Sequence, residues 1–180
     1  MSLDTGSGIP HFARRSSRLA DAYRFARGAH AEGATSIDHP TAVAELLAET
    51  GYPEHVVVAA LLHDVVEDSP GSADELAERF GADVARLVAQ LTEDPAIDAY
   101  DERKRELRRR AASDGHSAAS IFTADKLASA RKLNASGGVP DPRKLEHYER
   151  TVNVVRRHHP EVPFLPALED ELARMRARVG

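Results

Sequence analysis

Cysteine is absent from all 180 residues, which excludes disulfides and thiolate metal sites. No apolar run approaches the roughly 18 residues of a membrane span, and residues 1–10 lack the apolar stretch of a signal peptide. A cytoplasmic protein with no membrane partner is therefore expected. An excess of positive charge is missing too: 24 Lys and Arg against 29 Asp and Glu leave a net charge of −5, which argues against nucleic acid as the main partner. Nor is there sustained apolar/polar alternation between turn pairs, or a repeat of fixed period, so neither a β architecture nor a repeat array is expected. What is present is the composition of a globular protein, 42% apolar and 29% charged, at a length that suits one domain. Residues 1–10 read as a disordered tail and 11–180 as the single domain.

Helical periodicity, punctuated by proline and glycine, divides that domain. Leu19, Tyr23 and Ala26 share a face of a helix over 11–32, closed by Gly33. Pro40 marks a second start at a first helical position, and Ala42, Val43, Leu46 and Leu47 continue it to Gly51. Pro53 opens a central helix, apolar all round at 56–60, that is expected to run to about Asp68. Ser72 and Glu75 match a capping box before Leu76, Phe80, Val84 and Leu87, with Gly81 leaving one long helix or two short ones open. Further helices are expected over 97–112, 117–133, 142–157 and from Pro166 onward, with Asp114-Gly115 as a turn. The fold class is all-α, a helical bundle.

Chemistry concentrates in Leu61-Leu62-His63-Asp64-Val65-Val66-Glu67-Asp68. At 100° per residue the four polar side chains share an arc of about 140°, a charged wedge entering an apolar helix. Burying such charge without a counter-ion costs several kcal/mol, and a bound cation is the simplest compensation. His39, just before Pro40, and Asp125, a lone carboxylate on a small and apolar helix face, extend the set to two imidazoles and two carboxylates. That donor chemistry suits Mn²⁺, Fe²⁺, Zn²⁺ or Mg²⁺ and leaves positions for water and a substrate oxygen.

The ordered set His39-Pro40, His63-Asp64, Glu67-Asp68 and Ala124-Asp125-Lys126-Leu127 resembles the HD-domain metal-dependent phosphohydrolases. Within them it is most similar to the hydrolase domain of the bifunctional (p)ppGpp synthetase/hydrolases and to the small alarmone hydrolases. Supporting context in 59–68, Phe80-Gly81 and Glu102-Arg103-Lys104-Arg105 spreads the likeness over about residues 20–135. The resemblance implies an HD-domain helical bundle holding one divalent ion, Mn²⁺ first, through His39, His63, Asp64 and Asp125. It also implies that Glu67 and Asp68 activate water and handle protons, and that the reaction removes the 3′-pyrophosphate of guanosine tetra- or pentaphosphate. Which of the two carboxylates is the base stays open.

The chain departs from that family in its substrate contacts. The Arg-Lys pair expected before the first ligand histidine has no counterpart in 31–38, the expected asparagine four residues after the last ligand is Ser129, and an expected lysine is Phe122. Lys104 and Arg108, one helical turn apart, are candidates to reach a polyphosphate, and Lys126 and Ser129 are further substrate-contact candidates. His30 reads as a cap or a support to the ligands; His116, His147, His158 and His159 read as surface residues. The partner expected is thus a small nucleotide or phosphate ester, with oligomeric state open. Two alternatives accompany the alarmone hydrolase: an HD hydrolase of another nucleotide or phosphate ester, and a non-catalytic, metal-containing nucleotide-binding module.

Overall fold

Ser16 begins the first long helix as its residue type dictates: its hydroxyl accepts from the Leu19 backbone N–H at 3.1 Å, satisfying one orphan donor of the first turn. Its extended backbone, φ −150°, also separates that helix from a short 3-10 turn at Phe12–Arg15, so the single helix expected over 11–32 is a turn followed by a helix. The computed structural model describes residues 8–33, 35–68 and 73–179, with the backbone alone at Asp68. Every regular element among the described residues is helical, and the chain divides into two compact units, Met1–Ala89 and Gln90–Gly180.

The first unit holds α1 (Ser17–Glu32), α2 (Asp38–Glu49), α3 (Glu54–Leu62), α4 (Val65–Asp68), α5 (Ala73–Phe80) and most of α6 (Ala82–Leu91). From Val56 to Leu62 every α3 side chain is at most 2% exposed, and both α1 and α2 pack against it. Each such Val or Leu contributes about 1.5–3 kcal/mol on burial, so α3 is the fixed element of this unit. α2 starts at Asp38, two residues before the start expected at Pro40, which sits in the first turn where its missing N–H still costs nothing. α5 and α6 are separate helices, broken at Gly81, whose φ of 92° favours glycine. The capping box at Ser72 and most of the tail over 1–10 lie outside the described residues.

The second unit holds α7 (Tyr100–Ser113), α8 (His116–Ala135), α9 (Pro142–His158) and α10 (Leu165–Arg176). α8 is packed by the other three and is buried without interruption from Ala118 to Ala124, most of it small residues that let neighbouring backbones approach. Asp141 caps α9 by accepting from the Arg143 N–H at 2.8 Å, with Pro142 opening the helix.

Candidate active site

At the end of α3 the helix does not continue to Asp68 as expected; a turn at His63-Asp64 separates it from α4. The cause is local. His63 donates its Nδ1–H to the Ala60 carbonyl at 2.7 Å, taking the acceptor that the Asp64 N–H would use in an unbroken helix. The Glu67 N–H then bonds back to the Asp64 carbonyl at 3.1 Å and restarts the chain as α4.

That hydrogen bond also sets the chemistry of the ring. With Nδ1 carrying the proton, a neutral His63 turns the Nε2 lone pair toward Asp64 Oδ1, 3.0 Å away, on an imidazole only 3% exposed. Two acceptors facing each other at that distance are stable only with a cation between them, a second proton or a metal ion. The His39 ring, from the first turn of α2, lies with its centroid 5.7 Å from that of His63 and inclined by 63°. One ligand atom from each of His39, His63 and Asp64 falls within 4.8 Å of the others. Two imidazole nitrogens and a carboxylate oxygen so gathered are a donor set that fits a divalent ion.

Glu67 is exposed on α4, one turn beyond the Asp64 position. The side chain of Asp68 lies outside the described residues. Asp125 stands on α8 in the second unit with a side chain only 15% exposed, ion-paired to Lys126. The Lys126 ammonium in turn lies 4.5 Å from the Phe122 ring centroid and 5.8 Å from that of Tyr148. Ser129, half-buried, follows one turn later on α8.

Lys104 and Arg108 line a pocket on the α7 and α9 faces of the second unit, joined there by Arg143, His147 and Arg150. The two carboxylates on its wall are already partnered, Asp101 by Arg143 at 3.5 Å and Glu146 by Arg150 at 2.5 Å. Glu93 holds Lys104 and Arg103. Burial alone would raise the Glu93 carboxyl, but hydrogen bonds from Lys104 and Arg103 hold it below its usual range. Arg108 is 5% exposed and pairs with no carboxylate among the described residues; its Nη1 donates instead to His147 Nδ1 at 2.6 Å. Burial first, and Arg150 second, push the guanidinium below its ordinary value.

His147 is thereby corrected from a surface residue to one 4% exposed. Burial, then Lys126 and Arg108, drive its pKa down to about 2, so it is neutral near pH 7. Accepting at Nδ1 places its proton on Nε2, a buried atom with no hydrogen-bond partner among the described residues. A largely buried guanidinium beside a buried imidazole N–H that lacks an acceptor is chemistry that can receive an anion. Periodicity signals it: His147, Thr151 and Val155 recur every four residues on α9 and all are buried. Arg143 and Arg150 carried no comparable signal.

Comparison with known proteins agrees with this chemistry. The HD domain family matches residues 17–154. The guanosine-3′,5′-bis(diphosphate) 3′-pyrophosphohydrolase MESH1 of Mus musculus is 36% identical over 155 residues, 84% of this chain and 86% of that protein. Its namesake in Danio rerio is 37% identical over 141 residues, 76% of this chain and 78% of that protein. Among solved structures, one described as a metazoan ortholog of SpoT that hydrolyzes ppGpp superimposes with a TM-score of 0.74 at 28% identity, covering 94% of this chain and 98% of its own.

Proposed function

The chain belongs to the HD domain family, and from that footing we propose that it is a metal-dependent phosphohydrolase that removes the 3′-pyrophosphate of guanosine tetra- or pentaphosphate. One observation carries the reading: His39, His63 and Asp64 converge within 4.8 Å in a chain whose relatives of the same length are named for that reaction. The HD-domain likeness extends over both units, which supports treating 11–180 as one working domain. A bound divalent ion, for which Mn²⁺ is the first choice, supplies Lewis acidity toward water and phosphorus.

The residues divide the remaining work. His63 is locked by Ala60 so that Nε2 alone serves as ligand, with His39, Asp64 and Asp125 completing the set. Lys126, ion-paired with Asp125, is a further contact to substrate phosphate. Glu67 and Asp68, one turn on, accept and return the proton of the attacking water. Lys104 and Arg108 grip phosphate oxygens, and Ser129 contacts the nucleoside. The substrate is a small molecule, and no helix among the described residues is long and apolar enough to cross a membrane, consistent with a reaction in the cytoplasm.

The test is pyrophosphate release by the Mn²⁺-loaded protein from guanosine alarmones, ordinary nucleotides and dinucleotides. Release from guanosine tetraphosphate is expected. A second reading, hydrolysis of another nucleotide or phosphate ester, draws on the missing basic pair in 31–38 and on Ser129, and a different preferred substrate in the same panel would favour it. Nucleotide binding by a fully metallated protein inert across the panel would instead leave a regulatory module.

A further inference from the structure

A second group of two imidazoles and a carboxylate lies within the second unit. Gly115, at φ 97°, turns the chain between α7 and α8 and brings His116 to the first position of α8. His159 caps the end of α9, and Glu161 follows two residues later. His116 Nδ1 is 3.0 Å from Glu161 Oε1, and His159 Nδ1 is 3.5 Å from the same oxygen.

The outer nitrogens explain why these contacts are more than a hydrogen-bonded cluster. His159 Nε2 lies 2.9 Å from the Ala112 carbonyl, which can only accept, so the ring proton sits on Nε2 and the Nδ1 lone pair faces the carboxylate. His116 Nε2 lies 3.5 Å from the Ser120 hydroxyl. Both rings place Nδ1 beside the carboxylate; at His159 the carbonyl fixes Nε2 as the donor, the arrangement that orients metal-binding histidines, and at His116 the hydroxyl accommodates the same tautomer. The spacing fits as well: tetrahedral Zn²⁺ with bonds of about 2.0–2.1 Å separates neighbouring ligand atoms by about 3.3 Å. One ligand atom of each residue falls within 4.8 Å of the others.

We infer that His116, His159 and Glu161 form a second metal site, for a borderline divalent transition ion such as Zn²⁺, that ties the start of α8 to the segment after α9. Two imidazoles disfavour Mg²⁺ and Ca²⁺, which take oxygen shells. The α9 C-terminus favours a cation while the α8 N-terminus opposes one, so the ligands rather than the helix ends decide affinity. The side chains of His116 and Glu161 are 41% and 58% exposed, which leaves room for water at the fourth position.

Equilibrium dialysis of the full chain against Zn²⁺ tests this. Wild type is expected to hold two equivalents, and Glu161→Gln and His116→Ala one each, their second-site affinity falling at least about tenfold. Because Glu161 is exposed and outside the proposed catalytic set, Glu161→Gln should keep the pyrophosphate-release rate of the Mn²⁺-loaded protein. Asp64→Ala should retain one equivalent, and Asp64→Ala/Glu161→Gln none. A wild type whose bound Zn²⁺ survives undiminished in both Glu161→Gln and His116→Ala, or is lost entirely in Asp64→Ala, overturns the proposal. Loss of the Asp64-dependent equivalent alone leaves it standing, so its failure and that of the HD centre are read separately.

Discussion

The two units gather opposite chemistries around buried histidines. In the first, His63 has Nδ1 bonded to a backbone carbonyl and turns Nε2 to a carboxylate, with a second imidazole beside it. In the second, His147 accepts from Arg108 and lies among Lys104, Lys126 and Arg150, with the nearby acids Asp101 and Glu146 already paired to arginines. The same side chain can therefore serve a cation in one place and an anion in the other, and what differs is which ring nitrogen the neighbours leave to face inward. Phosphoryl chemistry needs both, a Lewis acid and a positive pocket for displaced charge.

The largest effect should come from removing the acceptor side of this contrast. Asp64→Ala is expected to lower turnover by about a thousandfold or more, since a Lewis acid supplies several kcal/mol, and to remove one equivalent of bound metal. Retained turnover without that equivalent would break the comparison. Next comes the donor side. Arg108→Met is expected to raise KM about tenfold to a hundredfold, the worth of a charge-assisted hydrogen bond, with a smaller change in kcat. Because a buried cation beside Arg150 is a liability when no anion is present, the variant should unfold at the same or a higher temperature than wild type. A lower Tm with unchanged KM would make Arg108 structural.

How much of this was legible in the sequence follows the same division. His63-Asp64 stood out because charge directly after the wholly apolar Val56–Leu62 contradicts its surroundings, and Asp125 because a carboxylate interrupts a small, apolar face. The helix break at His63 was not legible, since nothing between Glu54 and Asp68 is a proline or glycine; a side chain competing for the Ala60 carbonyl causes it. Lys104 and Arg108 were readable as one helical face. Arg143, His147 and Arg150 were not, because their meeting with α7 depends on α7 and α9 packing, a tertiary fact that no local pattern encodes.

The pH dependence of stability sharpens the contrast further. His147 has a folded pKa of about 2 against an ordinary 6.5, so below pH 6.5 the unfolded chain takes a proton that the folded chain refuses. Stability from this group is complete above that range and falls as pH drops toward 2. Between pH 7.5 and 5 the loss is about 2 kcal/mol. His147→Gln keeps an acceptor for Arg108 without the titration, so denaturant unfolding should show the variant losing about 2 kcal/mol less than wild type over that interval. Equal losses would mean that His147 is protonated within the fold and the pocket is less positive than its neighbours imply.

The smallest effect concerns which nucleoside is selected. Ser129 is one turn beyond Asp125 on α8 and half-buried. An asparagine there offers both a donor and an acceptor to a base edge, whereas the serine hydroxyl is shorter by one carbonyl unit. If guanosine tetraphosphate is the substrate, Ser129→Asn should raise kcat/KM for it by about twofold to tenfold, one added hydrogen bond, and leave inorganic pyrophosphate binding unchanged. If the chain acts on another nucleotide, the amide meets an edge it was not shaped for, and the ratio of guanosine to adenosine turnover rises through loss of the adenosine rate instead. Measuring both rates separates the two readings, because only the first predicts an absolute gain.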